Sequence, residues 1–231
     1  MALMHSVSNL MKRLLIIPAR LGSRRIKDKN IKLFYGKPII YYSINIAKKS
    51  KLFNTIHVST ESPKIKKIVE KFGLKIDFLR DKKLSNNFVA LIDVFRFVVK
   101  KYKVLNKKFD EVWFLSTCAP LLETKDLKKA AKKFYRGKIN SLLAVGKYSP
   151  PIEWAMKIDK KKKLKPVFNK KINIRSQDLK NYYFDSGLFG IFKTSEIFKK
   201  HRSFSPFVLE KYKAIDIDNL DDWQLLQKIY G

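Results

Sequence analysis

The chain reads as an α/β protein built on a mostly parallel sheet. Two observations predict this. Short strand-like runs alternate with helical patterns of ~10–15 residues over the first 145 positions, which is the rhythm of β-α-β units. After an irregular stretch, the same rhythm resumes at Asp185 and runs to a terminal helix. In such sheets, ligands bind beyond the carboxyl ends of the strands, so function is expected just after Ile17, Ser59, Leu79 and Ser116.

The elements follow in order. Leu14–Ile17 is a buried strand. Pro38–Lys49 is a helix with Pro38 in its first turn, where a missing amide costs nothing. Thr55–Ser59 is a second strand. Ser62–Phe72 is amphipathic, with Ile65, Ile68, Val69 and Phe72 on one face and Gly73 at its end. Lys75–Leu79 is a third strand, Ala90–Lys101 a helix, Glu111–Ser116 a fourth strand, Lys125–Tyr135 a helix and Ser141–Val145 a strand. Residues 148–183 break the rhythm with Pro150, Pro151, Pro166 and the run Lys160–Lys163. They read as a β-hairpin excursion whose exposed turn is Asp159–Lys163. Leu188–Phe192 and Ala214–Ile217 are strands, and Asp221–Tyr230 is a helix capped by Asn219 or Asp221. Residues 1–12 read as a mobile leader, and 13–231 as a single domain carrying the excursion.

Composition bounds the function. The 231 residues, 45% hydrophobic, suffice for a sizeable core. The lone Cys118 excludes an internal disulfide and suits a reducing cytoplasm. No apolar run approaches a membrane span. The net charge of +31 attracts anions, nucleic acid among them. The excess is scattered along the chain and is mostly lysine, amid plentiful Ile, Asn, Phe and Tyr. It therefore reads chiefly as the compositional bias of an AT-rich genome.

Three constellations bear chemistry. The first is Ile17-Pro18-Ala19-Arg20-Leu21-Gly22-Ser23, followed by Arg24, Arg25, Lys27, Lys29 and Asn30. A buried strand emptying into a glycine turn with five clustered cations suits a polyphosphate, because amides and cations both face the charge. An ordinary turn with a solvated basic rim remains the alternative. The spacing matches neither the Walker nor the dinucleotide fingerprint. The second is Asp216-Ile217-Asp218, two carboxylates that could hold a hard cation or merely cap the last helix with Asp221 and Asp222. The third is Arg175-Ser176-Gln177-Asp178, where a guanidinium could grip a carboxylate. Ser116-Thr117-Cys118 also lies at the functional edge, within reach of a base or a sugar. Cys118 has no evident histidine partner.

Together these segments resemble the cytidylyltransferases that activate acidic sugars, the CMP-sialic acid synthetase family. The opening stretch is similar to that family's I-P-A-R-x-G-S-[KR] motif and its following K-N-[IL], here Lys29-Asn30-Ile31. Val58-Ser59-Thr60, Phe78-Leu79-Arg80 and Asp216-Ile217-Asp218 match its later landmarks. Phe168-Asn169 and Arg175-Ser176-Gln177-Asp178-Leu179 look most like the pseudaminic acid branch. The chain departs at Ser116–Pro120, at Leu84–Leu91 and at Leu188, Gly190 and Ile191, near the expected base and sugar pockets.

The resemblance implies a Rossmann-like three-layer α/β/α nucleotidyltransferase with a β-hairpin dimerisation arm. It implies transfer of CMP from CTP to the anomeric hydroxyl of a nonulosonic acid, most closely pseudaminic acid, with release of pyrophosphate. The nucleotide would meet Ala19, Arg20, Gly22, Ser23, Arg24, Lys29, Asn30 and Arg80. Arg20, Arg24 and Lys29 would hold triphosphate charge, and Asn30 the α-phosphate or ribose. Asp216 and Asp218 would hold Mg2+, with Arg20, Lys29 and Asp218 as the catalytic set. Arg175 and Gln177 would receive the sugar acid, Arg175 reaching across the interface of a cytoplasmic homodimer. The implied partners are CTP and an acidic nine-carbon sugar, with no nucleic acid and no membrane. The rivals are another acid (N-acetylneuraminic, legionaminic or 3-deoxy-octulosonic), a neutral sugar, or a basic nucleic-acid-binding protein.

Overall fold

The structure, a computed structural model, describes residues 11–23, 25–86, 88–169 and 172–231. The expected leader lies outside them except for Met11 and Lys12. Lys12 is already tied to the domain, its amide donating to Asp110 Oδ2 at 2.7 Å.

A six-stranded sheet organises the chain, in the order β10-β6-β9-β5-β1-β4. These strands are β1 (Arg13–Pro18), β4 (Thr55–Ser59), β5 (Glu111–Leu115), β6 (Ser141–Lys147), β9 (Tyr183–Lys193) and β10 (Ser205–Val208). β1 pairs in parallel with β4 and β5, and β6 with β10. Only β9 runs against its neighbours, antiparallel to both β5 and β6. The apolar run of β1 is buried on both sides, as a central parallel strand must be. Leu15 and Ile17 pack on one face and Leu14 and Ile16 on the other.

Helices cover both faces. On the first lie α1 (Ile40–Ser50), α2 (Pro63–Glu70) and α4 (Thr124–Arg136), contributing Ile44, Val69 and Leu127. On the second lies α3 (Leu91–Val104), with Phe95, Val98 and Tyr102. The last helix, α5 (Leu220–Tyr230), packs Trp223 against Phe34. The three-layer α/β/α arrangement is as expected.

Four local expectations need correction. Pro38 does not open a helix: β2 (Leu33–Phe34) and β3 (Lys37–Pro38) form a small antiparallel ribbon ahead of α1. Lys75–Leu79 is not a strand. It runs beyond edge strand β4 without a ladder, and its end is fixed by the Arg80 amide donating to Thr60 O at 2.8 Å. Ala214–Ile217 is also irregular, and the strand of that region is the earlier β10. Pro206 removes a ladder donor from β10, which suits its place at the sheet edge. Finally, Leu188–Phe192 is only the second half of the long β9.

The excursion forms the expected hairpin, β7 (Met156–Ile158) against β8 (Leu164–Pro166). Asp159 builds its turn, with Oδ1 accepting from the amides of Lys161 and Lys163.

Candidate functional site

The basic turn leaves the carboxyl end of β1 at the middle of the sheet. The Ala19 amide donates to Ser59 O at 2.9 Å, which prolongs the β1–β4 alignment by one residue. Gly22 then takes φ +89°, a conformation that a side chain would strain. Asn30, 7% exposed, brackets the turn. Its Nδ2 donates to Arg20 O at 2.9 Å, and its Oδ1 accepts from Thr117 Oγ1 at 2.5 Å. Asn30 thus ties the turn to the end of β5, a structural task beyond the ligand contact expected of it.

These segments wall a cleft of about 310 Å³. Arg20, Ser23, Arg25 and Lys29 line it from the turn, Arg80 from beyond β4, Thr117 and Cys118 from beyond β5, and Asp218 from the loop before α5. Leu84, Val89 and Leu91 give it an apolar wall. Burial pushes the Cys118 thiol up, away from the thiolate form that nucleophilic chemistry needs, and among the described residues no histidine lines the cleft beside it.

The acidic loop meets the turn directly. Arg25 Nη2 pairs with Asp218 Oδ1 at 2.7 Å, and Lys29 Nζ donates to the Ile217 carbonyl. The capping alternative is decided by the amides at the start of α5. Asp222 Oδ2 accepts from Asp218 N and Asn219 N, while Asn219 Oδ1 accepts from Asp222 N. The cap is therefore Asn219 with Asp222, and the side chains of Asp216 and Asp218 take no part in it. Partial desolvation, then the charge of Asp218, holds Asp216 above the usual carboxylate range. Asp216 itself does not line the cleft; it sits beside Gly187, at φ +64°, where an added Cβ would lie 3.4 Å from Asp216 Oδ2.

The loop is anchored from its other side by Lys213, which is 2% exposed. Its Nζ meets Glu123 Oε2 at 2.5 Å and Asp126 Oδ2 at 2.8 Å, both at the start of α4.

Arg80, expected at the nucleotide, lines the cleft but is itself held. Nη2 donates to Glu61 Oε2 at 2.9 Å and Nε to Ser85 Oγ at 3.0 Å. Sequence reasoning missed Glu61 and left Arg25 without a role. Both act through partners distant along the chain.

Arg175 and Gln177 are not in this cleft. Arg175 is exposed on the excursion, and Gln177 lines a separate cleft of about 360 Å³ with Lys147 and Tyr148. Arg24 lies outside the described residues. Of the expected residues, the structure gathers Arg20, Ser23, Lys29, Asn30, Arg80 and Asp218, brings Ala19, Gly22 and Asp216 alongside, and leaves Arg175 and Gln177 apart.

Chemically, the cleft offers cations and turn amides to a polyanion, and beside them two carboxylates that repel one another. Such a pair suits a hard divalent cation. Mg2+ binds through one or two carboxylates and completes its shell with water and phosphate oxygens. Among the described residues no group of three or more His, Cys, Asp or Glu forms an all-protein metal cage. The donor set therefore fits a cation shared with a bound phosphate.

A sequence model of the family described as Cytidylyltransferase matches residues 14–228. The pseudaminic acid cytidylyltransferase of Campylobacter jejuni is 36% identical over 227 residues, covering 95% of this chain and 97% of that protein. The CMP-N,N'-diacetyllegionaminic acid synthase of Legionella pneumophila is 27% identical over 95% of this chain and 96% of its own length. Among solved structures, a CMP:2-keto-3-deoxy-manno-octonic acid synthetase complexed with CTP aligns with a TM-score of 0.71 over 94% of this chain and 98% of that one. At 14% identity, that likeness speaks for the fold.

Proposed function

This chain belongs to the cytidylyltransferase family, and we propose that it transfers CMP from CTP to the anomeric hydroxyl of a nonulosonic acid, pseudaminic acid in the first instance, with release of pyrophosphate. One observation carries the reading. The basic turn and the acidic loop, 193 residues apart at Arg25 and Asp218, close on each other at the carboxyl end of the sheet. The 36% identity to a pseudaminic acid enzyme over nearly the whole chain supports the choice of acid.

Phosphoryl transfer is mainly positioning and charge stabilisation. Arg20 and Lys29, with Arg24, hold the triphosphate and stabilise the charge growing on departing pyrophosphate. Ala19, Gly22 and Ser23 bring the chain close enough for backbone contacts. Arg80 directs donors towards the nucleoside end, against the apolar wall of Leu84 and Val89. Asp216 and Asp218 would hold Mg2+, which supplies counter-charge to the phosphates and lowers the pKa of the attacking hydroxyl. Arg25 leaves Asp218 when ligands arrive and turns to the phosphates.

Arg175 and Gln177 grip the sugar carboxylate from the excursion, and the excursion reaches the cleft of a second copy. The exposed apolar side chains of that arm support this arrangement: Ile158 and Leu164 are 71% and 69% exposed, and Trp154, Met156 and Phe168 lie on the same segment. The protein would then work as a homodimer, in the reducing compartment that supplies CTP. Among the described residues, no helix is long and apolar enough to cross a membrane.

The test is pyrophosphate release from purified protein, Mg2+ and each of the four NTPs with a panel of nonulosonic acids. Release is expected with CTP, most rapidly with pseudaminic acid. No release with CTP and any acid would overturn the reading.

A further inference from the structure

Glu61 stands just beyond β4 and does not line the cleft, yet both of its carboxylate oxygens are engaged with groups that shape it. Oε1 accepts the Leu21 amide of the basic turn at 2.9 Å, and Oε2 accepts Arg80 Nη2 at 2.9 Å. Leu21 lies between the cleft residues Arg20 and Ser23, and Arg80 also lines the cleft. The side chains of Arg80 and Glu61 are 4% and 14% exposed, so the pair is shielded from solvent and fixed in direction. Burial pushes the Glu61 carboxyl up, but hydrogen bonds from its own amide, Arg80 and Leu21 together hold it below the usual range.

Two consequences follow from this geometry. The charge of Arg80 is already balanced by Glu61, so Arg80 serves the cleft as a directed donor rather than as free counter-charge. The backbone of the turn and the guanidinium of Arg80 donate to the two oxygens of one carboxylate, so Glu61 sets the position of each. We infer that Glu61 is a positioning residue that fixes the phosphate-gripping turn and the Arg80 donor in one geometry, so that the two ends of a nucleoside triphosphate are held together. The inference rests on the reading that a nucleoside triphosphate occupies this cleft.

The experiment compares CTP and CMP binding by calorimetry, with thermal unfolding recorded alongside. Glu61→Gln leaves one acceptor oxygen for two donors and leaves Arg80 unbalanced. It is expected to weaken CTP about tenfold or more, and CMP less, because CMP draws little on the triphosphate grip. Arg80→Met removes only the donor arm and should weaken CTP and CMP by the same factor. In that background, Glu61→Gln should still weaken CTP while leaving CMP unchanged. Glu61→Asp, which keeps the charge and both oxygens, should recover part of the CTP loss.

Should Glu61→Gln fail to fold, Ser85→Ala gives a second handle. It loosens Arg80 from its other side without touching the turn, and should weaken CTP and CMP equally. A larger loss for CTP than for CMP in that variant overturns the division of labour. Wild-type affinity for CTP in Glu61→Gln, or equal losses for the two nucleotides, overturns the inference alone. A wild-type protein that binds no CTP overturns it together with the functional reading.

Discussion

The cleft and the excursion are built in opposite ways. In the cleft, residues far apart in sequence are bound to each other: Arg25 to Asp218, Lys29 to Ile217, Thr117 to Asn30, Leu21 to Glu61. In the excursion the bonds are local. The Tyr148 amide closes its neck on Tyr182 O, Trp154 Nε1 reaches Ile174 O, and Asp159 builds its own turn. The cleft buries its framework, whereas the excursion leaves Ile158 and Leu164 largely in solvent. The difference teaches that the cleft is framed by long-range bonds within one chain, whereas the arm proposed to carry the sugar half is held by the local bonds above.

The largest effect should come from the cleft. Asp218→Ala and Arg20→Ala should each lower cytidylyl transfer about 10²–10³-fold, with an unchanged melting temperature. Pyrophosphate release and a thermal melt read the two quantities. Full activity in both variants would mean that the cleft is not where transfer occurs.

The next effect concerns the ground beneath the cleft. His57 on β4 is fully buried, with Nδ1 3.2 Å from the Tyr102 hydroxyl and its ring 4.5 Å from that of Phe78. Burial, aided by Arg80 and opposed by Asp77, lowers it from 6.5 to about 4. Above 6.5 the ring is neutral in both folded and unfolded chains and contributes nothing to pH dependence. As pH falls below 6.5, the unfolded chain takes up the proton first, so stability is lost progressively down to about 4. The loss there is about 3 kcal/mol. Urea unfolding across that window should show it, and His57→Phe should flatten the curve. An equal acid loss in the variant would place the sensitivity elsewhere.

Smaller effects sharpen the contrast. Arg175→Ala should raise the KM for the sugar acid roughly tenfold to thirtyfold and leave the CTP affinity alone, because one charge-assisted contact is removed from the sugar half only. A matching loss of CTP affinity would put Arg175 in the nucleotide half instead. Asn219→Ala should cost about 1 kcal/mol of stability by removing the cap of α5, as measured by denaturant unfolding. Its transfer rate should hold if the cap and the acid pair are separate devices.

The same contrast explains what the sequence makes legible. β1, β4, β5 and the helices around them are readable because their periodicity reports burial on a sheet face. Lys75–Leu79 and Ala214–Ile217 look like strands because Ile76, Ala214 and Ile217 are buried, but burial alone does not give a segment a ladder partner. β10 is obscured by Pro206, which is tolerated only because the strand is an edge. Arg20, Lys29, Arg80 and Asp218 are legible through motif and resemblance. Glu61 and Arg25 are not, since the task of each is fixed by a partner that folding alone brings near. The separation of Arg175 from the cleft is likewise invisible in one dimension.

The central claim is that a cleft from one chain and an arm from another make one active site. Mixing the inactive Asp218→Ala protein with the Arg175→Ala protein tests it most directly, because each mixed dimer joins an intact cleft from one chain to an intact arm from the other. Under saturating CTP and limiting sugar acid, the account predicts that transfer recovers to a substantial fraction of wild type on mixing. Activity no greater than the sum of the two separate proteins, with mixed dimers demonstrably formed, would contradict it.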